Sequence, residues 1–273
     1  MTYVVEWVPP ATFVEVDERV WHELPVRCAP ACMRRLAAVV LSRLPVGVVA
    51  RYDWPTGRIT YLRRVRDQIE TVLAAAGASE AGLALAKAGV ATVVHENAHA
   101  MGGSEERTGS YSWLSGALQW GRVVEEGLTE LLTLAVFTDL TGVLDLISIS
   151  PTFGVHPARQ QPRYVDEVNT MRSFLMKVAA LHRFDFEQAL ILTAVEHGPN
   201  FKLDALTDLV AQTFGLDRLN AADYRTAVAS IRRTLNRSLD NPNLVGNALG
   251  RQAFKAAVRV AKFYQIRLLV KLA

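Results

Sequence analysis

The sequence predicts an α+β protein that is mostly helical and carries a small β-sheet near its N-terminus. Strand signals occur only within the first 62 of the 273 residues, whereas apolar residues recur at helical spacing through the rest of the chain. Half of the residues are hydrophobic and 21% are charged, which is the balance of an ordinary globular protein. A chain of this length can bury a substantial core.

Four apolar stretches in the N-terminal part predict β-strands, at residues 3–8, 12–16, 46–52 and 58–62. The last two flank the turn-forming sequence Asp53-Trp54-Pro55-Thr56-Gly57 and therefore predict a β-hairpin. Between the second and third predicted strands, residues 31–44 show helical spacing that ends at Pro45.

Eight helices are predicted after the hairpin, at residues 64–76, 79–101, 122–140, 164–183, 185–196, 203–214, 221–236 and 252–272. Ser79 can cap the second of them, with Glu80 in its first turn, and Gly102-Gly103 ends it. Loops are expected at 103–121 and 148–163. We expect residues 1–147 and a helical C-terminal part, 148–273, to pack as one compact unit.

Charge and hydropathy limit the possible partners. A net charge of +3 is too small to indicate nucleic acid binding, and no apolar run approaches the ~20 residues of a membrane span. No secretory signal is visible, so we expect a cytoplasmic protein. Residues 251–273 predict a basic amphipathic helix that could lie on a membrane surface, although packing on its own domain is the commoner arrangement and the one we expect. The oligomeric state stays open.

The segment His95-Glu96-Asn97-Ala98-His99 contains the motif H-E-x-x-H within a predicted helix. Residues i and i+4 lie on one face of a helix, so His95 and His99 can reach the same ion. Zn²⁺ suits two imidazoles with a position left open for water. Glu96 lies about 100° further round the helix, where it can act as general base on the metal-bound water.

A third ligand is expected from the segment Glu125-Glu126-Gly127-Leu128-Thr129-Glu130, at the start of a later helix. Glu126 and Glu130 share a face, so one can bind the metal while the other accepts an N–H from a ligand His. Gly127 costs a helix ~1 kcal/mol, which is understandable if this helix passes close to that of His95. Alternatively, these glutamates are solvated carboxylates favoured by the helix dipole.

H-E-x-x-H followed by E-G-x-x-E resembles the gluzincin class of zinc metallopeptidases, over about residues 89–134. The resemblance implies a zincin-like domain in which Glu126 is the third ligand and Glu130 orients a ligand His. Many members have Asn where this chain has Glu125, which leaves open which glutamate binds. A rival ligand is Glu105, which follows Gly102 by three residues as in metzincins. Metzincins use His or Asp there, and no methionine turn follows, so we favour Glu126.

Peptide hydrolysis also needs a donor for the developing oxyanion, with Tyr111, His156, Tyr164 and His197 as candidates. Aminopeptidase-like gluzincins take it from a Tyr that opens a later helix, which favours Tyr164 although the usual glycine is missing. His156 is the second choice. In zincins an edge strand pairs with the substrate, and residues 58–62 precede the motif helix in that order. Tyr111, Trp113 and Trp120 could line the cleft.

The sequence thus predicts a zinc-dependent metallopeptidase with peptide or protein substrates and Zn²⁺ as its cofactor. The alternative is a non-catalytic zinc-binding or protein-interaction module with a vestigial site. A toxin or regulator acting on one protein would share the peptidase chemistry.

Overall fold

The structure is a computed structural model. It describes residues 10–28, 32–33, 35, 37–45, 48–53, 56–74, 78–102, 118–157, 164–181, 183–196 and 198–272. The described chain is mostly helical and contains a three-stranded mixed sheet, which confirms the coarse fold class. The predicted strand at residues 3–8 and nearly all of the predicted loop 103–121 lie outside the described residues.

The chain divides into two units by its internal contacts. One comprises residues 1–102 and 133–163, and the other comprises residues 103–132 and 164–273. The boundary at 132/133 lies inside a single continuous helix, Gln119–Val143. The division at residue 147 expected from the sequence stays a prediction.

The N-terminal part of the first unit contains, in chain order, α1 (Phe13–Cys28), β1 (Cys32–Met33), β2 (Ala37–Leu41), β3 (Ala50–Asp53), β4 (Arg58–Leu62), α2 (Arg63–Ala74), α3 (Glu80–His99) and β5 (Met101–Gly102). Strand β4 lies between β2, to which it is parallel, and β3, to which it is antiparallel. Strands β1 and β5 pair as a separate antiparallel ribbon.

Two N-terminal predictions are wrong. Residues 12–16 are not a strand, since α1 already begins at Phe13. The buried residues Phe13, Val16, Val20 and Leu24 of α1 follow a helical spacing. Residues 31–44 are not one helix, since they contain β1 and β2. The strand conformation of β2 depends on pairing with β4, about twenty residues away, and local spacing does not reveal such a partner.

The predicted hairpin is confirmed as β3 and β4, in which Tyr52 is paired with Ile59. The expectation that residues 58–62 form an edge strand is wrong. β4 is hydrogen-bonded to a neighbour on each side, so its backbone groups are already occupied and cannot pair with an added peptide strand.

Helix α3 begins where the sequence predicts but ends at His99, two residues before the predicted end at Met101, which instead pairs in β5. Ser79 Oγ accepts a hydrogen bond from the backbone N–H of Gly82 at 3.2 Å, which caps the helix. Every residue from Gly89 to His99 is buried, so α3 is the core helix of its unit. Gly89 permits close packing on α2, since a Cβ there would lie 3.0 Å from Ile69 Cγ1.

The remaining helical elements are α4 (Gln119–Val143), α5 (Leu146–Ile149), a 3-10 turn (Pro151–Gly154), α6 (Val165–Ala179), α7 (Phe186–Ala194), α8 (Gly198–Thr213), a second 3-10 turn (Leu216–Arg218), α9 (Ala221–Leu239) and α10 (Gly246–Leu272). Every helix predicted after residue 62 is confirmed, with shifted ends, whereas the predicted loop 148–163 begins with helical turns. The core of the second unit includes Met171, Phe174, Leu206, Ile231 and Leu235.

The expectation that residues 251–273 pack their apolar face on their own domain is confirmed only for the first four turns of α10, which pack mainly through small residues, and is wrong for the last turns, where Phe263 and Ile266 are exposed. Ala253, Ala257 and Ala261 are fully buried, and Gly250 lets the helix approach α6 so closely that an added Cβ would collide with the carbonyl oxygen of Thr170. Among the helices of the described chain, none has both the length and the apolar character needed to cross a membrane.

Candidate metal centre

The H-E-x-x-H motif occupies the last turns of α3 and is enclosed by protein. His95 and His99 are each 6% exposed, and Glu96 is 8% exposed. Burial of two imidazoles and a carboxylate is costly unless each is hydrogen-bonded or binds an ion. The helical context that the motif requires is therefore present, in a region that excludes most water.

The two histidine rings face one another across a short gap. Nε2 of His95 lies 3.0 Å from Nε2 of His99, and the rings meet edge to face with centroids 4.7 Å apart. Two nitrogen ligands of a tetrahedral zinc, each at about 2.0–2.1 Å from the metal, are separated by about 3.3 Å. The observed spacing is thus close to that of a ligand pair, and it also permits a hydrogen bond between neutral imidazoles.

Glu126 of α4 joins the two histidines. One nitrogen of each ring and one carboxylate oxygen of Glu126 all lie within 4.8 Å of one another, and Glu126 is half-buried. Two imidazoles and one carboxylate are the donor set of several catalytic zinc sites, and the same set holds Fe(II) in some oxygenases. The residues present therefore fit a divalent transition metal with an open position.

The neighbouring Glu125 is occupied elsewhere. Its Oε1 accepts a hydrogen bond from Nζ of Lys202 at 2.8 Å, and the same ammonium donates to Oγ1 of Thr129 at 2.7 Å. Lys202 is fully buried and Glu125 nearly so, so the two charges compensate each other. This pairing favours Glu126 over Glu125 as the candidate ligand. Nothing in the sequence around Lys202 indicates that this lysine is buried and pairs with Glu125.

Gly127 has a different partner from the one predicted. A Cβ at this position would lie 2.6 Å from the carbonyl oxygen of Glu167 and 2.8 Å from Cγ of Met171, both on α6. The glycine therefore permits close approach of α4 to α6, and the explanation through the helix of His95 is wrong. The side chain of Glu167 is held by Arg122, whose Nε donates to its Oε1 at 2.7 Å.

A buried polar network that the sequence reasoning missed holds the motif helix from its other side. Asn97, fully buried within the motif, donates from Nδ2 to Oδ1 of Asp17 at 2.9 Å and to the carbonyl of Val93 at 2.9 Å. Its Oδ1 accepts from Arg35 Nη1 at 3.1 Å. The hydroxyl of Tyr61 donates to Asp17 Oδ1 at 2.8 Å. The middle of the motif is thereby fixed to α1 and β4.

Charge is balanced within this network. Arg35 forms an ion pair with Oδ2 of Asp17, and its guanidinium lies 5.4 Å from the ring centroid of Trp21. Burial raises the pKa of Tyr61 well above its usual value, and the charges of Asp17 and Glu96 raise it further. Tyr61 therefore stays protonated and able to donate. Among the residues of this network, only Asn97 is marked by the sequence, because it lies inside the H-E-x-x-H motif.

The remaining predicted site residues lie in varied settings. Glu130 is 4% exposed but is not part of the His95–His99–Glu126 group, and Glu105 lies outside the described residues. Tyr164 precedes α6 in the left-handed region, with φ 51° and ψ 39°, a backbone conformation that non-glycine residues adopt rarely. His156 is buried, and its ring meets that of Phe137 edge to face, with the ring centroids 4.9 Å apart.

The three aromatic residues expected to line the cleft are only partly described. Trp120 is 4% exposed within α4 and is a core residue. Tyr111 and Trp113 lie outside the described residues, as does the fourth oxyanion candidate, His197.

Comparison with protein-family models, with curated proteins and with solved structures gave no match to this chain. The resemblance to gluzincins therefore depends on the two motifs and on the placement of their residues.

Proposed function

We propose that this protein is a zinc-dependent metallopeptidase of the gluzincin type, with a zincin-like arrangement of its motif helices. The observation that carries the proposal is the convergence of His95, His99 and Glu126 next to Glu96, on the two helices that bear the two motifs. His95 and His99 would hold the ion through their ring nitrogens and Glu126 through a carboxylate oxygen.

When bound, Zn²⁺ supplies a Lewis acid for the peptide carbonyl and lowers the pKa of a water molecule to about 7. Glu96 acts as the general base: its carboxylate takes a proton from the attacking water and passes it to the leaving amine. Because Glu96 is 8% exposed, little bulk water competes for its carboxylate. General acid–base catalysis of this kind contributes about 10²–10⁴-fold to the rate.

Two further residues complete the proposed machinery. Glu130 accepts a hydrogen bond from a ring N–H of a ligand histidine and so fixes the orientation of that ring. Tyr164 donates its hydroxyl to the oxyanion, with His156 as the second candidate. The strained backbone at Tyr164 supports this role, because such conformations concentrate at functional sites. We further propose peptide or protein substrates and a cytoplasmic location.

The proposal is tested by separating metal binding from chemistry. Wild type, Glu96→Gln and a surface control, Glu18→Gln, are loaded with zinc and assayed on a library of fluorogenic peptides. We expect wild type and Glu18→Gln to cleave a subset of the library, and Glu96→Gln to retain zinc but to lose at least about 10²-fold in rate.

Equal cleavage by Glu96→Gln would contradict the mechanism. Zinc-loaded wild type that cleaves nothing would support the alternative of a non-catalytic zinc-binding module. Iron bound in place of zinc would contradict the peptidase proposal, since the same donor set serves Fe(II).

A further inference from the structure

The last turns of α10 present an apolar face to solvent. Phe263, Ile266, Leu269 and Val270 are 56%, 61%, 61% and 73% exposed. Residues 263, 266 and 270 follow the i, i+3, i+7 spacing of one helix face. At 100° per residue this face points away from the packed face that carries Ala253, Ala257 and Ala261.

Contacts on the inner side hold this face outward. The hydroxyl of Tyr264 lies 3.1 Å from the hydroxyl of Ser230 on α9, and Nε2 of Gln265 donates to the carbonyl of Phe214 at 3.1 Å. The helix therefore cannot rotate its exposed apolar residues into the unit without breaking both contacts.

The same segment is strongly basic. Residues 241–273 contain no Asp or Glu, and six cations lie among them: Arg251, Lys255, Arg259, Lys262, Arg267 and Lys271. Lys255, Arg259 and Lys262 are exposed and fall on the outward side of the helix. Arg267 lies over the ring of Phe263, with its guanidinium carbon 5.7 Å from the centroid. Cations thus border the apolar face at its N-terminal end and beside Phe263.

This concentration is unusual within the described chain. The other exposed large apolar side chains are scattered, with at most two in any eight consecutive residues, whereas residues 263–270 hold four. Single exposed apolar residues are normal on a protein surface, but a contiguous apolar face bordered by charge indicates a binding surface.

We propose that the end of α10 docks on an anionic lipid surface. The helix lies in the plane of the interface, with Phe263, Ile266 and Val270 in the headgroup–acyl boundary, and Arg259 and Lys262 among the anionic headgroups. Because α10 carries positive charges and no Asp or Glu, it favours an anionic surface. The exposed apolar side chains can be buried among the acyl chains, which adds a hydrophobic contribution to the electrostatic one. The inference does not depend on the proposed peptidase activity.

The test is co-sedimentation of the full chain with vesicles of phosphatidylcholine alone or of phosphatidylcholine and phosphatidylserine in equal parts. We expect wild type to bind the phosphatidylserine vesicles, more weakly as salt is raised, and to bind phosphatidylcholine poorly. Phe263→Gln/Ile266→Gln should abolish binding. Arg259→Gln/Lys262→Gln should weaken it by roughly 30-fold, at a contribution of about 1 kcal/mol per cation.

Two control variants change equally exposed residues elsewhere: Met176→Gln/Leu192→Gln for the apolar pair and Arg233→Gln/Arg237→Gln for the cationic pair. Circular dichroism melts verify that all variants fold. Equal binding to both kinds of vesicle, no binding at all, or an equal loss in the controls would overturn the proposal. A wild-type dimer in sedimentation velocity that Phe263→Gln/Ile266→Gln dissociates would also overturn it, because a second copy would then cover this face.

Discussion

Nζ of Lys202 lies 2.8 Å from Oε1 of Glu125, the residue that precedes the proposed ligand Glu126. The lysine is fully buried, and it also donates to Thr129 one turn further along α4. A buried ion pair adds little net stability, but removing one partner leaves the other charge without compensation. The pair thus holds the carboxylate of Glu125 at Lys202 and ties α8 to α4.

Lys202→Met should lower the free energy of unfolding by about 3–5 kcal/mol, because Glu125 loses the cation that compensates its charge. In the double variant Glu125→Gln/Lys202→Met the loss should be much smaller than the sum of the single losses. Urea unfolding measures all three. The control is Arg232→Gln, which breaks the half-exposed pair with Asp204 and should cost at most about 1 kcal/mol. Additive losses would contradict this account of Lys202.

Gly127→Ala should destabilise the protein by about 1–3 kcal/mol despite the better helix propensity of Ala, since its Cβ would meet the backbone of Glu167 at 2.6 Å. Gly142, on the same helix, is the matched control: a Cβ there would meet only Ile147 Cδ1, at 3.7 Å. Gly142→Ala should therefore be neutral or stabilising by up to about 1 kcal/mol. Thermal melts distinguish the two, and equal shifts would refute the close-packing explanation.

Asn97→Ala should combine a loss of stability with a loss of function. It removes the donor to Asp17 and the acceptor for Arg35 in a buried site, at a cost of about 1–3 kcal/mol for each group left unsatisfied. Because the motif helix then loses its anchor, peptide cleavage should fall while zinc is retained. The exposed Asn247→Ala serves as control. Unchanged cleavage by a folded Asn97→Ala protein would show that the network has no positioning role.

The thiol of Cys28 provides a pH test of burial. Desolvation raises its pKa from the ordinary 9.0 to about 11, with a smaller opposing effect of Arg27. A raised pKa means that the stabilising contribution is complete below pH 9.0 and is lost as pH rises towards 11. Over that range, wild type should lose about 2 kcal/mol more stability than Cys28→Ala. Denaturant titrations at several pH values measure this, and parallel curves would indicate a solvated thiol.

The regions that the sequence predicts well are those whose signals are local. Helix α3 has a serine cap and an acidic first turn, and its motif has a fixed four-residue spacing. Helix α4 has a long apolar periodicity. The N-terminal errors have the opposite cause: β2 exists through its pairing with β4, and α1 is rich in β-branched residues whose composition suggests a strand.

The parts of the site that sequence analysis missed depend on distant pairs. Lys202 meets Glu125 across 77 residues, and Asn97 meets Asp17 across 80. Lys202 and Asp17 do not stand out from their neighbours by type or spacing. Asn97 lies inside the motif and Glu125 precedes Glu126, but neither position reveals its distant partner. A glycine inside a helix indicates close packing, so Gly127 is conspicuous in the sequence. The sequence does not show which helix packs against it, because a close approach by any helix would require a residue without a side chain.

Equilibrium dialysis against Zn²⁺ tests the central claim most directly, with wild type, His99→Ala, Glu126→Gln and Glu105→Gln compared at one pH. We expect one zinc ion per chain in wild type and in Glu105→Gln, and severe loss of affinity in His99→Ala and Glu126→Gln, since each removes one of three protein ligands. Full zinc binding by Glu126→Gln, or its loss in Glu105→Gln, would contradict the assignment of the third ligand. A wild-type chain that takes up no zinc would contradict the proposed metal centre altogether.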